Sequence, residues 1–533
     1  MKNKNIFAFA FIALTVVAVY YKTLNAPFLP WDDDTNIFNN FAIKNFDWTL
    51  FWQMPLYGMY IPLTSCFWST LYWLGEGSVL PFRVFNLLLH LANCAFVFLI
   101  LQQAYLKVSQ RKSLGLVLLA TLVFALHPLQ VSTVAWISGG RDLAASFFAL
   151  VAIWLLLSEK KNRELLATVA FGFGLLCKPH IVTLPLAVIF VSIVFKPKDF
   201  GSAVKLSLGW LAMSLASTLV TLFAQKGAMD LVTPLWIRPA LALDGLGFQL
   251  WKLVWPYQTL AVDYGRNPQN LMVQPVIMLW PIVFCTVVIL ALLYSSKKFI
   301  PSLYLWIWFI LMLPVCGLIP SGFQEISTVT DHYQYLPLAV VSFGILILFM
   351  AKPIQTSQGI SLTLQVLLAV LIASWGWSSH QRVKVWLDEK LFFQDMLAHN
   401  PNSFSAAVGL GNLAYRAQDF NSAQEWHSKA LELRPYDIVA ISNQAATFYQ
   451  MRRYEDIFAM KGLLEIPKVK DKMEFNPIPL ASFYTSLGSS AVAIKELDFA
   501  LDYLCKARNL VPENSNYRRN AQIIEGLTQK TCP

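Results

Sequence analysis

From residue 6 to residue 377 the chain runs through long apolar stretches separated by short polar loops, and after His380 it reads as ordinary water-soluble sequence. The apolar stretches are roughly 15 to 25 residues long, enough to cross the roughly 30 Å hydrocarbon core of a bilayer. They predict spans at residues 6–21, 82–104, 114–127, 142–158, 164–178, 180–195, 206–225, 273–295, 300–319, 335–351 and 360–378, about eleven in all. Met1-Lys2-Asn3-Lys4 ahead of the first span resembles the start of a signal peptide, but no small-residue cleavage site follows it. Trp251–Tyr257 is apolar and short; it reads as an interfacial or re-entrant helix, because a further span would break the alternation of loop charge. The expected fold class is all-α. A polytopic membrane helical bundle occupies residues 1–380, a connecting helix 381–402, and a soluble repeat domain 403–533.

Charge changes the picture in one respect, by giving the bundle an orientation. The loops at 107–112, 158–163, 196–205 and 295–298 and the region of Lys352 are all basic, as cytoplasmic loops are. The alternate loops carry the acidic residues Asp32, Asp33 and Asp34. An odd number of spans then places the N-terminus in the cytoplasm and the C-terminal domain in the periplasm or an equivalent outer space, with a bacterial inner membrane as the expected location. Hydrophobic residues make up 56% of the chain and charged ones 14%, against about 25% charged in soluble domains, which excludes a cytosolic enzyme. The formal net charge of +10 is accounted for by the basic loops, so no nucleic-acid partner is expected; membrane lipids are. Cys66, Cys94, Cys285 and Cys316 fall in apolar segments and read as small core residues. Cys505 and Cys532 can pair if their domain meets an oxidising compartment.

The soluble tail repeats itself. Phe420, Ala423, Ala430 and Pro435 recur 77 residues later as Leu497, Ala500, Ala507 and Pro512, and Asp419-Phe420 recurs at 34 residues as Arg453-Tyr454. A period of about 34 marks helix-pair repeats of the tetratricopeptide type, in which small Ala residues let two helices approach and Pro ends the second. Two clear repeats are expected with a degenerate one between them, and a looser connection over 466–479. Such repeats present a groove to a protein partner; the plainer reading is a spacer or dimerisation element.

The strongest chemical signal lies at the end of the first span, in Trp31-Asp32-Asp33-Asp34. Adjacent carboxylates beside a membrane repel one another and lose solvation, which is costly without a task. The acidic run with Ile37 and Asn40, then Tyr60-Ile61-Pro62-Leu63-Thr64, then Arg83, Asn86, His90 and Asn93, resembles the start of the transmembrane and tetratricopeptide-repeat family of O-mannosyltransferases and its bacterial relatives, of the C-type glycosyltransferase (GT-C) class. Phe124–Pro128 with Val134-Ala135-Trp136 and Arg141-Asp142, then Lys178-Pro179, Val262-Asp263-Tyr264 and Asp331–Pro337, continue that resemblance in order. The chain departs from the family pattern at Ser132, at Gly139-Gly140 and at His332.

The resemblance implies a membrane glycosyltransferase, a hexosyltransferase of inverting type. It would take sugar from a polyprenyl- or dolichyl-phosphate carrier and pass it to protein Ser or Thr hydroxyls, as in O-mannosylation, at the non-cytoplasmic face. It implies Asp32 as catalytic base with Asp33 as partner, and Asp34, Arg83, His90, His127, Arg141, Lys178, His332 and Tyr333 as substrate- or donor-binding residues, the cations opposing the phosphate of the leaving group. The implied partners are the lipid-linked sugar donor and a protein acceptor engaged by the repeats; no cofactor and no metal is expected. Plainer readings stand beside these. Arg83 and Lys178 can snorkel to the interface, His127 can cap helix carbonyls, His90 can be a packing histidine, and Tyr333 can belong to an aromatic belt. The rival to catalysis is a non-catalytic membrane anchor whose repeats form a scaffold for cell-envelope or secretion complexes.

Overall fold

The computed structural model describes all residues except 1, 54, 56–57, 110–112, 196–198, 225–232, 258–259, 274–278, 296–298, 320–321, 351–353, 355–356, 468, 470–476 and 533. The basic loop residues Arg111, Lys112, Lys196, Lys198, Lys297, Lys298 and Lys352 lie outside the described residues, as does part of the connection expected at 466–479. The architecture is all-α, with no strand element among the described residues. Two compact units divide the chain, Met1–Phe392 and Phe393–Pro533, and the division falls inside the stretch expected to connect the domains.

The first unit opens with α1 (Lys2–Tyr20), two short helices α2 (Phe41–Asn45) and α3 (Trp48–Gln53), and α4 (Pro62–Leu74). The long α5 (Leu80–Ser109) leads to α6 (Leu114–Leu126), α7 (Val131–Ala135), α8 (Gly140–Leu157), α9 (Arg163–Cys177), α10 (Leu184–Phe195) and α11 (Phe200–Ala224). Then come α12 (Arg238–Val254), α13 (Pro268–Val273), α14 (Leu279–Ser295), α15 (Phe299–Met312), α16 (Pro337–Leu348) and α17 (Gln358–Val383). Buried polar side chains tie distant helices together. His90 and Asn93 on α5 both bond the Tyr335 hydroxyl, at 2.8 and 3.0 Å. Ser379 on α17 donates to the Leu126 carbonyl at 2.8 Å, and His380 lies 3.1 Å from the Val19 carbonyl.

The expectation of about eleven spans is corrected here. Among the described residues five helical stretches are long and apolar enough to cross a membrane: Lys4–Asn25, Leu80–Lys107, Gly140–Leu157, Phe200–Ala224 and Gln358–Trp386. A sixth would be the bent pair Leu114–Leu126 and Pro128–Ala135, whose axes differ by 46°. Between α6 and α7 the cause is proline. Pro128 lacks the amide a continuing α6 would need, and the Pro179–Ile193, Leu279–Leu293, Leu303–Val315 and Pro337–Leu348 helices are shorter apolar segments that rise only about 18 to 23 Å. Trp251 and Val254 do not form a short helix of their own; they end α12, which buries Arg238, Asp244, Gln249 and Lys252 along its length.

The second unit is a stack of helix pairs. After α18 (Glu389–His399), which contains the division, come α19 (Phe404–Arg416) with α20 (Phe420–Leu433), α21 (Ile438–Gln450) with the short α22 (Tyr454–Met460), and α23 (Pro477–Ala493) with α24 (Leu497–Leu510). A closing α25 (Ser515–Thr528) follows. The second helices begin at the recurring residues Phe420, Tyr454 and Leu497, and Ala423, Ala430, Ala500 and Ala507 are fully buried where the helices cross. Asp419 caps α20 by accepting from the Ser422 amide at 3.1 Å, and Asp437 caps α21 through Val439 and Ala440. The Cys505–Cys532 disulfide fastens the segment after α25 to α24.

At Gly411 a methyl group would lie 2.2 Å from the His427 ring, so only glycine admits the imidazole there. His427 is buried, with Nδ1 2.9 Å from the Thr447 hydroxyl and Nε2 3.3 Å from Asn412 Oδ1. Burial lowers its pKa from 6.5 to about 4, so the unfolded chain takes up this proton at a higher pH than the folded one. The stability contributed by neutral His427 is complete above pH 6.5 and declines as the pH falls from 6.5 toward about 4. Protection factors for amide exchange in α20 and α21, taken relative to the intrinsic rate at each pH, are therefore expected to fall over that window, and His427→Gln to flatten the dependence. An unchanged profile in the variant would assign the pH sensitivity elsewhere.

Candidate functional site

Three consecutive carboxylates follow the first span, and the backbone turns each toward a different neighbour. Asp33 points inward and is fully buried. It accepts from the Ser138 amide at 3.0 Å, the Ser138 hydroxyl at 2.7 Å and the Leu29 amide at 3.2 Å. Burial pushes its carboxyl up to about 6, against the pull of Arg83 and of these donors. Asp32 is half-exposed and meets Arg141 Nη2 at 3.2 Å, while Asp34 accepts from the Thr35 amide at 2.8 Å.

Arg141 sits in the first turn of α8, packed over the Trp136 ring with its guanidinium carbon 4.9 Å from the centroid. The neighbouring Asp142 is buried and receives Lys178 Nζ at 2.6 and 2.8 Å on its two oxygens, and Arg141 Nε lies 4.0 Å from it. The result is a chain of alternating charge, Asp32–Arg141–Asp142–Lys178, drawn from three segments that are remote in sequence. Gly139 and Gly140 make the turn into α8 possible. A methyl group on Gly139 would lie 2.3 Å from the Thr133 carbonyl oxygen, and one on Gly140 2.6 Å from Asn86 Oδ1. The departure from the resembled pattern at these two positions thus has a steric reason in this chain.

His332 closes one side. Its Nδ1 is 3.0 Å from the Thr330 hydroxyl, and its ring is packed by Trp136, Phe323 and Tyr333. Burial first, and Lys178 second, hold its pKa well below the ordinary histidine value, so it is a neutral imidazole at neutral pH. Burial raises the Tyr333 hydroxyl. The remaining expected residues face elsewhere. Arg83 donates to the carbonyls of Ala26, Pro27 and Ala135, joining the exit of the first span to α7. His90 is bonded to Tyr335 and to the Ala125 carbonyl. His127 accepts from the Leu129 amide and lies 3.2 Å from the Leu253 carbonyl, which makes it a capping and cross-linking side chain.

The site therefore gathers Asp32, Arg141, Lys178, His332 and Tyr333, with Asp33 and Arg83 beneath as braces and His90 and His127 in separate networks. Asp142 and His180, both electrostatically coupled to this group, were not among the expected site residues. Their signals were present in the Arg141-Asp142 doublet and in the His that follows Lys178-Pro179. A second buried group was also missed. Tyr264 donates to Asp331 at 2.5 Å, Lys252 lies 3.9 Å from the same carboxylate, and Arg266 pairs with Asp244. Chemically the main cluster offers two cations, two carboxylates and a neutral imidazole in close balance. Among the described residues no three His, Cys, Asp or Glu side chains converge as a metal site requires.

No family model matches the chain. Over 48 residues, 9% of this chain and 9% of the other, it is 44% identical to Hsp70-Hsp90 organizing protein 3 of Arabidopsis thaliana. Over 111 residues, 21% of this chain and 19% of the other, it is 28% identical to the Hsp70-Hsp90 organising protein of Plasmodium falciparum. Hsp70-Hsp90 organizing protein 1 of Glycine max is 31% identical over 108 residues, 20% of this chain and 18% of that protein. The chain spans less than a fifth of the length of the curated relatives it matches.

These matches correct the functional expectation. The chain is similar to chaperone-organizing proteins rather than to O-mannosyltransferases, so the reading as a hexosyltransferase, with a lipid-linked sugar donor and a protein acceptor for glycosylation, is set aside. The geometry supplies a plain account of the acids that suggested it. Asp33 is satisfied by three donors, and Asp32 is half of an ion pair.

Proposed function

We propose that this chain is a membrane-anchored docking protein whose C-terminal helix pairs hold a protein partner, a molecular chaperone of the Hsp70 or Hsp90 class. The observation that carries the reading is the stack of helix pairs at the predicted recurrence, joined to similarity with proteins named for organizing those chaperones. The matched lengths of 108 and 111 residues are comparable with the run of the three helix pairs. In the stack α19, α21 and α23 form one layer, linked across repeats where Gln450 donates to the Tyr415 hydroxyl at 3.2 Å. A layer of this kind offers a partner several helix faces at once, the binding surface typical of helical repeats.

The first unit is the anchor, and its ion-paired cluster braces it. The Cys505–Cys532 bridge supports an oxidising compartment, hence an extracytoplasmic repeat unit with the N-terminus on the cytoplasmic side. The partner is then a chaperone resident in that space. The test is binding of purified Hsp70 and Hsp90 to the full chain in lipid nanodiscs, with empty nanodiscs as reference. Saturable binding of either supports the reading, and binding of neither at tens of micromolar sinks it. A scaffold for envelope or secretion complexes is the second reading, favoured by the membrane anchor; it is distinguished by co-purification of envelope components in place of chaperones.

A further inference from the structure

A cavity of about 150 Å³ lies in the first unit, lined by none of the Asp32–Arg141–Asp142–Lys178 residues. Seven helices wall it, through residues such as Leu101 on α5, Ile153 on α8, Glu164 on α9, Val188 on α10, Leu206 on α11, Ile307 on α15 and Val340 on α16. On α10 the lining runs from Leu184 to Ser192, a rise of about 12 Å. Only one end is polar. There the walls are Arg163, Glu164, Asp199 and Ser202, with Arg163 bonded to Asp199 at 3.0 Å and Ser202 donating to Glu164 at 3.2 Å.

Apolar cavities of about this size stay dry and take up apolar molecules. Three of the seven walls, α5, α8 and α11, belong to the stretches long and apolar enough to cross a membrane, so the medium around the cavity is lipid. Among the described residues the rim carries both signs of charge, one guanidinium and two carboxylates, at the end of an otherwise hydrocarbon surface, and Arg163 also lies 3.6 Å from Glu159. That distribution matches a zwitterionic amphiphile. We propose that the cavity holds the head-proximal part of one hydrocarbon chain of a membrane phospholipid, the rest of the chain lying in the surrounding bilayer, with the head's phosphate at Arg163 and its ammonium at Asp199 and Glu164. The proposal rests on the first unit being a membrane anchor and is independent of chaperone docking.

Native mass spectrometry of the full chain tests it, after detergent exchange and reconstitution with equal phosphatidylethanolamine and phosphatidylglycerol. Wild type is expected to retain one phospholipid, with phosphatidylethanolamine favoured several-fold. Ala187, buried on the wall, becomes a plug in Ala187→Phe, which should lose the adduct while remaining monodisperse. Val191→Trp supplies a second plug if the first variant does not fold, and Glu164→Gln with Asp199→Asn should remove the head-group preference, whereas Arg163→Gln should weaken retention of both lipids. Retention of the lipid at wild-type level by both plugs, a wild type that carries none, or equal retention of the two lipids would overturn the proposal. Chaperone binding measured on the same samples separates this result from that of the docking reading.

Discussion

Asp142→Ala is expected to collapse the stability of the first unit, by about 3 to 5 kcal/mol, because it strands a buried lysine. Lys178 Nζ has both Asp142 oxygens within 2.8 Å, and the two side chains are 10% and 2% exposed. Removing the carboxylate leaves an ammonium that neither water nor another acid can reach at that distance, since Asp32 is engaged by Arg141. Deleting both charges together is different. Asp142→Leu with Lys178→Met replaces the pair by apolar volume and is expected to recover most of the loss. Thermal unfolding in detergent, followed by size-exclusion recovery, measures both; a single variant as stable as wild type would show that the pair does not hold the cluster.

The second large effect is in the repeat unit. Cys505 and Cys532 are 27 residues apart in sequence, and closing a loop of that length stabilises the folded state by about 3.5 kcal/mol in the chain-entropy account. Cys532→Ser is expected to loosen α25 first, since the bridge fastens the segment after it to α24. Limited proteolysis should then cut near residues 511–515 before any other part of the unit. The control is alkylation of the wild type. Without reductant neither cysteine should react, and modification of both would remove the basis of the prediction.

The repeat pairs were legible because their determinants are local. In the first and third pairs an Ala at each helix crossing and a Pro after the second helix recur at fixed spacing, and burial of Ala423, Ala430, Ala500 and Ala507 follows that spacing; the middle pair carries Ile457, Leu464 and Val469 instead. The spans were only partly legible. Hydropathy registers how long an apolar stretch is but not where Pro128, Pro179 or Pro337 divides it, and a 12-residue helix such as α16 rises only about 18 Å. In the candidate site, Asp32, Asp33 and Asp34 are neighbours in sequence yet meet Arg141, Ser138 and Thr35 respectively. Their directions depend on a loop packed against residues 100 positions away, which no local pattern reports. Asp142 was overlooked because its partner Lys178 lies just past the end of α9, 36 residues on. The enzymatic reading arose from short motifs whose residues prove to be the joints of this bundle, as Arg83 and His127 show.

The bonds from Ser379 and His380 to the carbonyls of Leu126 and Val19 set an order for biogenesis. These partners are separated by 253 and 361 residues, so α1 and α6 leave the ribosome long before the helix that completes them. Until α17 is synthesised, both ends expose carbonyls without those donors, and the nascent first unit is open along the seam that α17 will fill. A chain stalled while Ser379 and His380 are still inside the ribosome should therefore leave an open intermediate that proteases recognise, and emergence of α17 from the ribosome should close it.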